Sequence, residues 1–444
     1  MRPLFRSDSW YLVAFFLVLI SIGSVLLVLP VAQASQDRTV RPVSFIDALF
    51  MATSAVCVTG LATVDLGRFS SFGQTVILLL IQFGGLGIIS FTSLLLILPG
   101  GRIPFRRLST IRSFYVDGVE YDPRKILLNI ISATLCIEAL GAVILSLLFK
   151  KAGVADYLFN GIFHAVSAFC NAGLSPFADS LERFSGNAAI LTVVILLIIL
   201  GGLGFIVLQD VFDVIKGKHR YLNYHSRVVL LMTAALIGIG FLFYFFMEKS
   251  AAFARLSIND RIMNALFQAV TPRTAGFDTV PQALLSQPSK VFTIILMFIG
   301  AAPGSIAGGI KITTFFVVIV MMTRNPDPLG DVQIGKHRIS SYTMNRATVY
   351  LLKAVSLLLI SALLLSLIEG PRGVAFDEIV FEVVSAFGTV GLSLGLTPHL
   401  SIAGKLVIIG IMFAGRVGLI ALSFSVVRLK KYEITYPEGQ VLLG

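Results

Sequence analysis

Charge is scarce in this chain: Asp, Glu, Lys and Arg make up 13% of its 444 residues, about half the share found in soluble domains. So few charges cannot cover a water-facing surface of ordinary size, which excludes a conventional soluble domain. Cysteine is also rare, with Cys57, Cys136 and Cys170 the only three. An odd, widely spaced set supports neither a disulfide framework nor a metal-ligand spacing. No glycine-rich loop followed by Lys-Ser or Lys-Thr occurs, so energy from ATP has to enter through another chain. No nucleophile–base constellation stands out either. The ionisable groups inside apolar stretches, Glu138, Lys311, Glu382 and Arg416, lie far apart without a catalytic signature. An intramembrane enzyme is therefore the weaker of the competing readings.

Apolar residues are abundant instead, at 56% with a mean hydropathy of +0.90. Runs of the roughly 20 residues needed to cross a hydrocarbon core of about 30 Å cover 10–31, 73–98, 127–149, 188–212, 226–247, 290–321, 347–368 and 401–427. An all-α integral membrane protein with eight transmembrane helices is expected, surrounded by membrane lipid. The first run ends in a cleavage-like Ala32-Gln33-Ala34, but it exceeds the h-region of about 7–15 residues of a signal peptide. It reads as a retained helix.

The net charge of +11 does not point to nucleic acid. Basic residues crowd alternate connections: Arg102, Arg106, Arg107 and Arg112; Lys216, Lys218, Arg220 and Arg227; Arg324, Lys336, Arg338 and Arg346; Arg428, Lys430 and Lys431. By the positive-inside rule these loops and both termini face the cytoplasm, in a plasma (inner) membrane.

Four segments say nearly the same thing: SAVCVTGL ending at Leu61, SAFCNAGL ending at Leu174, AVTPRTAGF ending at Phe277 and SAFGTVGL ending at Leu392. Their glycines, Gly60, Gly173, Gly276 and Gly391, are spaced by 113, 103 and 115 residues. This is a fourfold repeat of long helix (M1), short pore helix and second long helix (M2), arranged with pseudo-fourfold symmetry around a central pore. The expected units are 1–110, 111–222, 223–335 with an intramembrane loop, and 336–431, followed by a tail at 432–444. Ser44, with Asp47 three residues on, marks a capping-box-like start for a short helix over 44–56. The other short helices begin near Asp156, Asp260 and Asp377/Glu378. Acids at those starts suit the positive helix end, which turns the four negative ends toward the membrane centre.

The loop cores are Val58-Thr59-Gly60, Asn171-Ala172-Gly173, Thr274-Ala275-Gly276 and Thr389-Val390-Gly391. None carries a charged side chain, so coordination of a divalent ion by carboxylates is not expected. Backbone carbonyls remain, and rings of carbonyls replace the hydration shell of K⁺ in potassium channels. A dehydrated alkali cation at these backbone oxygens is the expected ligand. In the third unit, Gly300 to Lys311 holds Pro303 and several glycines and cannot form a straight helix. Residues 301–311 are expected to form a mobile gate below the filter, with Gly304, Ser305, Ala307, Gly308, Gly309 and Lys311 as its elements; a plain proline kink is the alternative. Arg416 is a charge in mid-membrane, which tends to face water or a partner. A pore role, or a structural ion pair with Glu138 or Glu382, are both open for it.

The repeated plan, one glycine per filter loop and eight spans resemble the Trk/Ktr/HKT superfamily of K⁺ translocation subunits over essentially the whole chain. The absence of an extra N-terminal helix pair makes it most similar to the Ktr-type membrane subunit. The resemblance implies K⁺ preference from Gly60, a gating loop in the third M2 helix and Arg416 near the cytoplasmic side of the filter. It also implies a homodimer with one pore per protomer, and regulation by a separate cytosolic nucleotide-binding ring of KtrA type that responds to ATP and ADP. Na⁺ dependence is left open. The competing transport reading is a Na⁺ or other monovalent cation transporter or symporter.

Overall fold

The computed structural model describes residues 8–34, 42–97, 123–327, 330–335 and 337–418. The expected tail 432–444 and the basic stretches 102–112 and 428–431 lie outside them. In chain order the helices are α1 (Asp8–Val28), α2 (Phe45–Cys57), α3 (Ser71–Ile97), α4 (Pro123–Lys151), α5 (Tyr157–Phe169), α6 (Ala188–Leu203), α7 (Phe205–Ile215), α8 (Tyr224–Met247), α9 (Ile258–Val270), α10 (Gln287–Phe298), α11 (Ile312–Thr323), α12 (Ser341–Glu369), α13 (Phe376–Gly388) and α14 (Ile402–Phe413).

Four of these, α2, α5, α9 and α13, have 13 residues each, a length of about 20 Å. Their starts are set by local chemistry. Ser44 accepts from the Asp47 amide at 3.2 Å and Ser257 from the Asp260 amide at 3.2 Å. Asp377 and Glu378 lie in the first turn of α13. Asp156 instead precedes α5 in a left-handed conformation, without a capping bond from its side chain. The inner halves of α2 and α13 are wholly buried, over Phe50–Cys57 and Phe381–Gly388, and those of α5 and α9 are buried apart from Val166 and Leu266. An apolar helix this short has no polar face to offer water and must be enclosed by others.

The enclosing helices are long. Among the described residues, Leu128–Lys151, Tyr224–Ser250 and Ser341–Arg372 are each long and apolar enough to cross a membrane, and α6 with α7 makes a fourth if taken as one broken span. On α12, Leu359, Leu363 and Leu367 form one stripe, each more than 60% exposed. A stripe of bare leucine at helical spacing belongs against lipid rather than water.

Three departures from regular helix shape the molecule. The stretch 188–212, expected as one span, bends by 101° between α6 and α7. Gly204 makes the corner with φ +81, and a Cβ there would meet the Pro303 carbonyl oxygen at 2.8 Å. A loop from a distant part of the chain packs into this corner, where Phe205 N donates to Gly304 O at 3.4 Å. The stretch 290–321 is likewise interrupted between α10 and α11. After α14 the chain widens into a π-helical turn over Ala414–Gly418, a form that often marks functional positions.

The connection from α11 to α12 carries an antiparallel hairpin, β1 (Val332–Ile334) with β2 (His337–Ile339), which an all-helical expectation omits. Val332 and Ile339 cover Val317 and Val320 of α11 and Met344 and Ala347 of α12. Strands of three residues carry too little alternation to be read from sequence.

The first and last parts of the chain meet. Lys405 Nζ on α14 lies 2.6 Å from Asp47 Oδ1 on α2, with both side chains less than a fifth exposed. Removing one partner strands the other charge, at a cost of about 2 kcal/mol or more in this half-dry setting. Lys405→Met is therefore expected to lower the thermal unfolding midpoint of the detergent-solubilised protein by several degrees. Lys405→Met with Asp47→Asn should recover part of that loss, because the two effects couple.

Candidate functional site: a ring of four loops

Each short helix runs directly into one of the four glycine segments, and the way it ends aims the following peptides. In the first, second and fourth segments the helix closes with a left-handed residue, Val58 (φ +55), Asn171 (φ +54) and Thr389 (φ +50). The amide after it reaches back to the helix: Thr59 N to Ser54 O at 2.8 Å, Ala172 N to Ser167 O at 2.7 Å and Val390 N to Ser385 O at 2.9 Å. This is the Schellman closure, in which the left-handed position is usually glycine. In the third segment Pro272 shifts the pattern, yet Thr274 is again left-handed at φ +72. Left-handed backbone is a genuine outlier for β-branched Val58, Thr274 and Thr389, at about 1–3 kcal/mol each. Such strain persists only where surrounding contacts over-determine it.

Two residues later every segment has its glycine, again at positive φ: +94, +65, +76 and +99 for Gly60, Gly173, Gly276 and Gly391. These four are mutual neighbours in cyclic order. A Cβ on Gly60 would meet the Ala172 oxygen at 2.6 Å, one on Gly173 the Ala275 oxygen at 2.7 Å, and one on Gly391 the Thr59 oxygen at 2.5 Å; one on Gly276 would collide with the Val390 oxygen. The carbonyls of Thr59, Ala172, Ala275 and Val390 thus each abut the glycine of an adjacent segment, and the sequence of contacts closes on itself. The hydroxyls of Thr59 and Thr274 are buried without a protein partner. Asn171 faces away: with its amide nitrogen toward them, it donates to the Ala168 and Ile198 oxygens at 3.1 and 3.3 Å.

Behind the ring, three second helices approach their own short helix at a glycine. Gly84, Gly201 and Gly415 sit against the carbonyls of Val56, Phe169 and Phe387, too close for any Cβ. Small residues here let two backbones touch. The third segment breaks the rule: Gly300 faces Gly308 and Ile310 carbonyls instead, because the loop between α10 and α11 has taken that place.

That loop is closed at its base and pinned at its tip. Gly300 N donates to Ile310 O at 2.8 Å and Ile312 N to Ala301 O at 3.1 Å, while Ala302 N reaches Gly202 O at 3.1 Å. Gly308 N donates to the Thr389 hydroxyl at 3.1 Å. Lys311 Nζ turns back onto Ala307 O at 2.5 Å. Arg416, held in the π turn, donates through one nitrogen to Ile306 O and through the other to Gly84 O at 2.8 Å. One guanidinium therefore ties the loop to α3.

Neither buried acid pairs with these bases. Glu138 accepts from Gln82 at 3.0 Å and faces the Cys170 thiol. Glu382 accepts from Ser393 at 2.8 Å and from Thr397. The ion pairs left open for Arg416 do not form; backbone carbonyls take its charge. His164 bridges Asn160 O at 2.7 Å and Ser175 Oγ at 2.9 Å. Glu382 and His164 each stand nine residues before their glycine, and each binds a serine two residues after it. Both brace a loop from behind. At the loop 175–187, Asp179 bonds Arg183, whose guanidinium holds the carboxyl below the usual range, while burial and the Asp179 charge push Glu182 up.

All twelve residues of the four expected triplets thus come together at one place. Of the expected gate residues, Gly308 and Gly309 lie against Thr389 and Gly388 beside the ring, Lys311 and Arg416 hold the loop at Ala307 and Ile306, and Gly304 lies instead against the corner at Phe205. The residues overlooked by the sequence reading are the hydroxyls of Ser54, Ser167, Thr271 and Ser385, described below. Their signal was present, since three of the four repeated segments begin with Ser-Ala.

Strained loops closing a ring of peptide oxygens inside an apolar helical shell define a membrane transport protein for ions, not an enzyme. A family described as TrkH, cation transport protein, matches residues 2–433, and the chain belongs to that family. It is 39% identical to Ktr system potassium uptake protein B of Bacillus subtilis, covering 97% of this chain and 95% of that one. It is 37% identical to the potassium/sodium uptake protein NtpJ of Enterococcus hirae, over 97% and 95%. It is 33% identical to Ktr system potassium uptake protein B of Vibrio alginolyticus, over 97% and 93%. The crystal structure of the potassium transporter TrkH from Vibrio parahaemolyticus has the same fold, with a TM-score of 0.71 at 22% identity, covering 95% of this chain and 85% of that one.

Proposed function

We propose that this chain is the ion-translocating membrane subunit of a K⁺ uptake system, with the four glycine segments as its selectivity filter. The observation that carries the reading is the closed cycle of contacts in which the oxygens of Thr59, Ala172, Ala275 and Val390 abut the next segment's glycine. A dehydrated monovalent cation needs several neutral oxygens at once, and such a ring supplies them without a carboxylate. The negative ends of four short helices add a field that favours a cation there. The buried, unpartnered hydroxyls of Thr59 and Thr274 are explained by ions and water in the passage. The relatives named for potassium uptake support K⁺; the potassium/sodium name of another keeps Na⁺ as the second reading.

In this reading the loop over 301–311 is the gate, held shut by Arg416 and by the Thr389 hydroxyl of the filter itself. Eight crossings in four repeats, cytoplasmic termini in the plasma membrane, a homodimer and a KtrA-type regulatory ring complete it; they are carried by the resemblance and by the charge of the connections. Expression in cells lacking their own K⁺ uptake tests the function. Growth should be rescued at sub-millimolar external K⁺. Absence of rescue, with the protein present in the membrane, would exclude K⁺ uptake by this chain alone and call for its regulatory partner to be co-expressed; failure with both would end the reading.

A further inference from the structure

The four short helices each place a hydroxyl behind their loop, but the hydroxyls do two different jobs. Ser54 Oγ accepts from the Gly60 amide at 3.0 Å, and Ser385 Oγ accepts from the Gly391 amide at 3.1 Å. Ser167 Oγ donates to the Leu174 carbonyl at 2.7 Å, and Thr271 Oγ1 donates to the Phe277 carbonyl at 2.7 Å. All four side chains are fully buried. Two loops are thus held by the amide of their glycine, and the other two by the carbonyl one residue beyond it.

The difference matters because the peptide is planar and trans. Its N–H and C=O point in opposite directions, so fixing one fixes the other. Drawing the Gly60 N–H backward onto Ser54 sends the Thr59 oxygen forward, where it lies against Gly391; drawing the Gly391 N–H onto Ser385 does the same for the Val390 oxygen, which lies against Gly276. In the other two loops the Leu174 and Phe277 oxygens are themselves drawn back and are removed from the passage. We infer that Ser54 and Ser385 are positioning residues that keep two of the four ring carbonyls turned inward, and that Ser167 and Thr271 keep the Leu174 and Phe277 carbonyls turned out. The four hydroxyls decide which oxygens meet the ion, and so set the preference for K⁺ over Na⁺.

The inference rests on the ion-pathway reading and is tested apart from it. The full chain is reconstituted in proteoliposomes, and Rb⁺ and Na⁺ tracer uptake are measured for the natural protein and five variants. Ser54→Ala and Ser385→Ala should each lower the Rb⁺-over-Na⁺ preference about tenfold, the worth of one bond to a buried amide. Ser54→Thr, which retains the acceptor, should restore it. Ser167→Ala and Thr271→Ala release an additional oxygen and should lower the preference less than Ser54→Ala. A natural protein that carries neither ion, alone or with its regulatory partner added, refutes the ion-pathway reading. A natural protein that prefers Rb⁺, with Ser54→Ala and Ser385→Ala unchanged in preference, overturns the locks alone. If alanine at one of these two positions prevents recovery of folded protein, the other decides. Loss of folded protein at both, with Ser167→Ala and Thr271→Ala recovered, also overturns the proposal, because the two serines would then serve packing.

Discussion

Shortening the loop between α10 and α11 is expected to raise Rb⁺ uptake into proteoliposomes by roughly tenfold or more. The loop stands on a short base, with Ile299 bridged to Ile310, so residues inside that base can be removed and the ends rejoined without disturbing α10 or α11. What is lost are the ties at the tip: Arg416 to Ile306 O, and Gly308 N to the Thr389 hydroxyl. Bonds from a charged donor are worth about 1.5–3 kcal/mol each and neutral ones about 1, so in the gate reading the two together hold a closed state by about sixtyfold or more. Arg416→Met removes the larger share and should move the rate in the same direction. It also removes a positive charge close beneath the carbonyl ring, which favours cation entry further. Uptake rates that do not change in either variant would show that the loop does not limit passage.

Placing a methyl group on the ring should abolish transport. Gly60→Ala or Gly391→Ala puts a Cβ within about 3 Å of a carbonyl that belongs to an adjacent segment, and at φ near +95 such a residue is strained by about 1–3 kcal/mol before any contact is counted. The oxygen must turn away or the ring must widen. Either change costs the ion part of its coordination, and a loss of about 3 kcal/mol is a loss of about a hundredfold in uptake. Rescue of a K⁺-uptake-deficient cell at low external K⁺ reads this directly. Gly238→Ala is the matching control, since its added Cβ meets nothing within 4 Å, and it should support growth as the natural chain does. Normal growth of Gly60→Ala would remove the ring from the function.

The short helices and their glycines were legible because both are local. A cap such as Ser44 with Asp47 and a glycine closing the segment are decided within about a dozen residues, and four copies made the pattern visible. The interruption near Pro303 was legible for the same reason. The bend at Gly204 was not, since the carbonyl packed into it belongs to Pro303, nearly a hundred residues further on, and an apolar run with three glycines reads equally well as a straight helix. The partner of Arg416 was hidden more deeply. A search for its counter-charge looks for carboxylates, whereas the two terminal nitrogens of the guanidinium bond backbone oxygens of Ile306 and Gly84, which every residue possesses, and its Nε is left without a partner among the described residues. Ser54 and Ser385 were in plain view at the head of the repeated segments, but the repetition directed attention to glycine. Their two distinct uses depend on which end of a peptide faces the hydroxyl, and composition does not encode that.

The contact of Asp47 with Lys405, and of Thr59 with Gly391, has a consequence for biosynthesis. A ribosome makes these groups more than three hundred residues apart, so the first short helix enters the bilayer long before its neighbour on that side exists. Until the last quarter of the polypeptide is inserted, the assembly is an arc with two raw flanks, and strained peptides at Val58 lack the surroundings that justify them. Completion is therefore all or nothing: a product truncated before residue 391 has no way to close, and quality control should recognise it by that open side.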